Sequence, residues 1–218
     1  MAGLFKKIKN QITRLLGRLS NVFIFIVRQI EFLFTGQADY MIYPDKISEN
    51  DRIEDHIKAK KLQSEVEEYL TEKFNLKLEQ PVFLEFYSGE QLSIKGLLME
   101  LSGTQGGYHF EKFGASGQFH TIFMRKGLPR NKFKSILAHE VAHAFLREKT
   151  LVPTDRYLRE GFARWIEYKI LLDMGETEEA EKLKNIKNWK HGKAIEKVLK
   201  LEAKVGVKGV MDVFRRID

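Results

Sequence analysis

The sequence predicts an α+β protein: a small antiparallel sheet is followed by a helical half, and an amphipathic helix precedes both. Three observations support this class. Apolar residues recur every three or four positions in residues 1–36, the segment 81–125 combines β-forming residues with glycine-rich turns, and a helical pattern runs onward from Asn131. A length of 218 residues suits one domain with an appendage, so we assign residues 1–36 to the appendage and 37–218 to the domain.

The N-terminal appendage carries most of the charge of the protein. Six Lys and Arg residues against one Glu give residues 1–36 a charge of +5, out of +7 for the whole protein. The most apolar stretch, Val22–Phe34, has 13 residues, whereas a membrane-spanning helix needs roughly 20. No signal-peptide cleavage site follows this stretch. Because the sequence also contains no Cys, which suits a reducing compartment, we expect a cytoplasmic protein.

Three roles are open for this basic helix. It packs on the domain or on a second copy of itself, it lies on an anionic membrane surface through residues 1–34, or it binds nucleic acid. Membrane attachment would be peripheral and would combine burial of the apolar face with attraction of the basic face to lipid headgroups. Nucleic acid is the least favoured partner because no nucleic-acid-binding motif accompanies the charge.

The segment between the appendage and the helical half alternates between helical and extended patterns. The Glu-, Lys- and Leu-rich stretch Asp51–Phe74 is predicted to be a helix, with Ser48 or Asn50 as its N-cap. Later stretches are rich in Val, Phe, Tyr and other β-forming residues, and glycines separate them. The predicted strands are Pro81–Tyr87, Tyr108–Phe113 and Phe119–Arg125, the last two paired as a hairpin.

The motif that carries chemistry is His-Glu-x-x-His, at residues 139–143 in the helical half. On a helix, residues four apart lie on one face, so the imidazoles of His139 and His143 can reach one zinc ion at ~2.0–2.1 Å. Glu140 follows the first ligand directly and can take a proton from water that the metal activates. With no Cys, any metal must be held by His, Asp or Glu. The alternative is two core histidines with a solvated Glu between them.

A catalytic zinc needs three protein ligands and one open position. Glu160 is the best candidate for the third ligand because it begins a second helix, with Thr154 as the expected N-cap and Gly161 allowing the two helices to approach closely. Against this, Glu160, Arg164 and Glu167 share one helix face, and such a face is usually solvated. The rival candidates are His191, His120 and Glu167.

These residues resemble the C-terminal peptidase domain of the plant DA1 proteins and their bacterial relatives. The likeness covers residues 80–218 and is carried by Gly127–Arg130, Ser135–Arg147, Glu160-Gly161 and His191-Gly192. It implies a zincin-like fold and a gluzincin-type zinc peptidase, with His139, His143 and Glu160 as ligands and protein rather than small-peptide substrates. Unlike the plant proteins, this protein has no Cys-containing LIM module and no recognisable ubiquitin-interacting helix, and Arg159 stands where the plant motif has a second Glu.

We therefore expect a zinc-dependent endopeptidase in which Glu140 is the general base. His191, which aligns with a Tyr of the family, is the first candidate to stabilise the oxyanion, with Tyr157 and Tyr168 as second choices. Phe119–Met124 is expected to offer an edge strand to an extended substrate. The competing interpretations are a non-catalytic module that keeps zinc for structure and a membrane-surface adaptor.

Overall fold

The computed structural model describes residues 51–87, 106–113, 117–149, 155–185 and 192–215. The predicted N-terminal helix and His191 lie outside these ranges. The elements within them are β1 (Arg52–Ile53), α1 (His56–Phe74), β2 (Val82–Tyr87), β3 (Gly106–Phe113), β4 (Gly117–Arg125), β5 (Leu128–Pro129), α2 (Arg130–Lys149), α3 (Arg156–Asp173), α4 (Thr177–Lys184) and α5 (Gly192–Arg215). The predicted α+β class is confirmed.

A three-stranded sheet with the order β2-β4-β3 forms the β part of the domain. The predicted hairpin is confirmed, since β3 and β4 pair antiparallel from Gly106 opposite Met124 to Phe113 opposite Gly117. β2 runs parallel to β4, so this sheet is mixed rather than wholly antiparallel. A parallel neighbour requires a long connection rather than a tight turn, and the segment between these two strands includes the whole of β3.

The central position of β4 overturns one prediction. Phe119–Met124 is predicted to present an edge strand to a substrate, but all of these residues pair with β3, and those from His120 onward also pair with β2. Their backbone groups are already used in the two ladders and cannot bind an added strand. Of the strands that the structure describes, β2 and β3 lie at the margins of this sheet.

Helix α1 begins later than the sequence pattern predicts. Residues 52 and 53 are extended because they pair with β5, so the N-cap is Asp55 rather than Ser48 or Asn50. The Asp55 side chain accepts a hydrogen bond of 2.7 Å from the backbone N–H of Lys58. The helix ends at Asn75, which adopts the left-handed conformation with φ of 50°. Its buried side, which packs toward α2, consists of Ala59, Leu62, Val66, Leu70 and Phe74.

Helix α2 lies at the centre of the domain and contacts α1, α3 and both β3 and β4. Its residues from Ser135 to Ala142 are all buried. A helix that is buried on every side shows little amphipathic periodicity, and its position is held by packing from all directions. The His-Glu-x-x-His motif therefore lies on the most enclosed helix that the structure describes.

Helix α3 packs between α2 and α5. Asp155, not Thr154, is its N-cap, since the Asp155 carboxylate accepts from the backbone N–H of Tyr157 at 3.0 Å. Gly161 allows a close approach, but to α5 rather than to α2: a Cβ added there would lie 2.6 Å from the carbonyl oxygen of Ala194. α5 is broken at Gly206, where φ is +69°. In the part of the protein that the structure describes, no helix meets the length and hydropathy required to cross a bilayer.

Candidate metal centre

Three side chains from α2 and α3 converge at one point. The Nε2 atoms of His139 and His143 lie 3.1 Å apart. Glu160 approaches both rings, with Oε1 3.7 Å from Nε2 of His139 and Oε2 3.5 Å from Nε2 of His143. Among the described residues, this trio is the one set of three His, Asp or Glu side chains close enough to share a metal ion.

The spacing of these atoms fits a zinc ion. Two ligands that are each ~2.0–2.1 Å from a tetrahedral ion lie roughly 3.3–3.5 Å apart. The two nitrogens lie 3.1 Å apart, and each has one oxygen of the Glu160 carboxylate at 3.5 or 3.7 Å, which is close to that value. Two nitrogens and a carboxylate are also a donor set typical of catalytic zinc. The site needs no large rearrangement to accept the ion.

Glu167 supports His139 from the side opposite the convergence point. Its Oε2 lies 3.1 Å from Nδ1 of His139, which has no other partner among the described residues. The alignment falls short of an ideal hydrogen bond, although the distance lies within hydrogen-bonding range. A proton on Nδ1, facing this carboxylate, leaves Nε2 with a free lone pair toward Glu160 and His143.

Arg164 connects the two carboxylates of α3. Its Nε donates a hydrogen bond of 3.1 Å to Glu160 Oε1, and one terminal nitrogen lies 3.6 Å from Glu167 Oε2. Burial alone would raise the pKa of Glu167, but the nearby His139 ring nitrogen and the Arg164 charge outweigh it and hold the pKa below its usual range. Glu167 therefore remains an anion although it is fully buried.

The alternative that Glu160, Arg164 and Glu167 form a solvated face does not hold in the structure. Arg164 and Glu167 are buried against α2, and the Glu160 side chain is 21% exposed. The role of Arg164 was not foreseen. One sequence signal was present, since the three charges at positions i, i+4 and i+7 are flanked by the apolar residues Phe162, Ala163, Trp165 and Ile166. A charged stripe on an otherwise apolar helix indicates a buried polar network.

Glu140 lies on α2 between the two histidines and is buried. The pKa of Glu140 is raised to about 7, mainly by burial and further by the negative charges of Glu160 and Glu167. The His143 ring opposes this rise. Gly106, at the start of β3, comes close to this carboxylate, since a Cβ added there would lie 3.4 Å from Glu140 Oε1. A carboxyl group with a pKa near neutrality is well suited to take and return a proton.

The structure separates the rival ligands from this cluster. His120 is buried with both ring nitrogens occupied: Nδ1 lies 2.9 Å from the Tyr108 hydroxyl and Nε2 2.8 Å from Glu148 Oε1. Glu167 lies behind His139, so it does not join the convergence point. His191, the third rival and the expected oxyanion donor, is outside the described residues.

The alternative oxyanion donors have other contacts. The Tyr157 ring lies 4.7 Å from Lys197 Nζ, a cation–π distance, and Tyr168 packs against the hydrophobic core. No described contact brings either hydroxyl to the cluster.

Comparison of this protein with protein-family models, with curated proteins and with solved structures finds no match. The resemblance to DA1-like peptidases therefore rests on the motif residues of the sequence itself.

Proposed function

We propose that this protein is a zinc-dependent endopeptidase related to the DA1-like peptidases, acting on protein substrates. The observation that carries the proposal is the convergence of two imidazole nitrogens and one carboxylate within 4.8 Å of one another, with the Glu140 carboxyl buried on the same helix. Catalytic zinc sites use this donor set, and peptidases place a general base next to the first histidine.

In this proposal His139, His143 and Glu160 hold the zinc ion. When bound, zinc lowers the pKa of water toward ~7 and polarises the scissile carbonyl. Glu140 accepts the proton of the attacking water and returns it to the leaving amine. Glu167 keeps His139 in the required tautomer, and Arg164 fixes the Glu160 carboxylate.

A purely structural zinc site is the competing function, and two observations disfavour it. A structural site is closed by four protein ligands, whereas the cluster among the described residues contains three. Burial of the Glu140 carboxyl beside two other carboxylates also opposes folding, as its raised pKa indicates. A catalytic role for Glu140 accounts for that cost, and a structural site does not.

The Glu140→Gln substitution tests the proposal, since it keeps the shape of the side chain and removes the base. Cleavage of a denatured protein such as casein should fall by 10²-fold or more, which is the typical contribution of a general base, while zinc content stays unchanged. Glu202→Gln is a matched control: Glu202 is a partly buried carboxylate bound to Trp165 and Lys169. Equal cleavage activity of wild type and Glu140→Gln would refute the proposed peptidase function.

The proposal includes a location: a cytoplasmic enzyme attached peripherally to an anionic membrane through residues 1–34. The support is the +5 charge and helical apolar spacing of the N-terminal segment. Deletion of residues 1–34 should abolish flotation with vesicles containing phosphatidylserine and leave cleavage of casein intact. Flotation that is unchanged by the deletion would contradict the attachment.

A further inference from the structure

Arg159 is a partly buried cation for which no described residue is a counter-ion. Its Nε atom is buried without a hydrogen-bond partner, and none of the described residues forms an ion pair with its guanidinium group. Arg164, further along the same helix, is paired with both Glu160 and Glu167. Of the three guanidinium nitrogens of Arg159, only Nε is buried without a partner, so the two terminal nitrogens are accessible to an anion that approaches from solvent.

Arg159 lies at the open end of the candidate metal centre. His139 lies beside Glu167 and His143 beside Glu160, so α2 and α3 run in opposite directions there. The closed end contains His139 and Glu167, whose side chains are 7% and 0% exposed. The open end contains His143 and Glu160, at 22% and 21%. Arg159 immediately precedes Glu160, at the end where solvent, and therefore a substrate, reaches the cluster.

The side of α3 that carries Arg159 faces away from α5. Successive helical residues are separated by about 100°, so Arg159 and Gly161 lie on opposite sides of Glu160. Gly161 is in contact with Ala194 of α5. Arg159 is therefore directed away from that interface.

The Arg159 guanidinium is suited to bind an anionic part of a substrate. Among the described residues no carboxylate pairs with it, whereas Arg164 is paired with Glu160 and Glu167. The anion that a peptide substrate carries is a carboxylate, which a guanidinium binds with two parallel hydrogen bonds.

We propose that Arg159 binds a carboxylate of the substrate and so makes the enzyme selective for peptides with an acidic group near the scissile bond. This inference rests on the proposed peptidase function. Because Arg159 and Glu160 are adjacent, and an extended peptide advances ~3.3–3.6 Å per residue, the acidic group lies within about two residues of the cleaved bond. The carboxylate belongs either to an Asp or Glu side chain or to the C-terminus of the substrate.

Mapping of cleavage sites in denatured casein by mass spectrometry distinguishes these two sources. A side-chain carboxylate predicts internal cuts with Asp or Glu enriched at one fixed position within two residues of the bond. A C-terminal carboxylate predicts release of short C-terminal fragments, which amidation of the substrate C-terminus blocks. Internal cuts with no enrichment of acidic residues overturn the inference and leave the peptidase proposal intact.

Binding supplies a second readout that does not depend on turnover. Zinc-loaded Glu140→Gln protein is titrated with the best-cleaved peptide and with its amide counterpart, in which Gln replaces Glu or a C-terminal amide replaces the acid. The acidic peptide should bind tighter by on the order of tenfold or more, as expected for a charge-assisted hydrogen bond. Arg159→Gln in the same background should abolish this preference, and Arg159→Lys should retain part of it.

Controls separate substrate recognition from effects on the metal or the fold. Arg130→Gln removes one exposed cation of α2 that pairs with Glu65 and should leave the preference unchanged. Zinc content should also remain the same in Arg159→Gln. If it falls, Arg159 acts by positioning Glu160 and the inference is wrong. If Arg159→Gln does not fold, two measurements still test the inference: binding by Arg159→Lys, and the comparison of acidic and amide peptides in the Glu140→Gln protein. Equal binding of the acidic and amide peptides refutes the inference.

Discussion

Replacement of Glu167 by Gln is expected to weaken zinc binding although residue 167 does not touch the metal. Glu167 is fully buried, 3.1 Å from Nδ1 of His139 and 3.6 Å from the Arg164 guanidinium. Gln keeps the size of the side chain and can still accept a hydrogen bond, but it removes the negative charge that makes the His139 ring more basic. Loss of such a supporting carboxylate typically costs 10- to 100-fold in metal affinity.

The assay is competition for zinc between the protein and a chromophoric chelator at neutral pH. Glu167→Gln should raise the dissociation constant by 10- to 100-fold, and Glu202→Gln, the carboxylate held by Trp165 and Lys169, should leave it unchanged. Thermal unfolding of the metal-free proteins shows whether both variants retain the fold. A Glu167→Gln protein that is folded and binds zinc within about threefold of wild type would refute the supporting role.

Two further predictions concern stability. Gly161→Ala should destabilise the domain by about 1–3 kcal/mol because its added methyl group would lie 2.6 Å from the Ala194 carbonyl oxygen. Calorimetry should show a Tm lower by several degrees. An unchanged Tm would contradict the close packing of α3 on α5. The free energy of unfolding of the zinc-free protein should fall by about 3 kcal/mol as pH rises from 4.5 to 7. The reason is that folding raises the pKa of Glu140 from 4.5 to about 7, so in this pH range the folded state binds a proton that the unfolded state has released. Denaturant titrations of wild type and Glu140→Gln should differ in this pH dependence, and identical profiles would contradict the raised pKa.

The sequence predicted the parts of the fold that depend on local pattern. The hairpin of β3 and β4 and the helices that carry residues 139 and 160 follow from the types of residue present in each local segment. The parallel pairing of β2 with β4 depends on a connection between distant segments, and no local pattern reveals it. The start of α1 was misplaced for a similar reason, because the pairing of β1 with β5 takes up residues 52 and 53.

In the candidate site, too, local spacing predicted some residues, whereas those that depend on tertiary packing were not predicted. The spacing within α2 was sufficient to place His139 and His143 on one face, and Glu160 was predicted to join them; the structure brings the three together. The burial of Arg164 and Glu167 was missed because an acidic and basic stripe is usually solvated, and tertiary packing on α2 decides otherwise. That these residues hold zinc stays a prediction.

The most direct test of that prediction is the zinc content of purified protein after dialysis, measured by mass spectrometry. We expect one zinc per protein molecule in wild type and in Glu140→Gln, and little or none in His143→Ala and Glu160→Ala. Full zinc occupancy in a folded Glu160→Ala protein, or loss of zinc from a folded Glu140→Gln protein, would contradict the proposed ligand set.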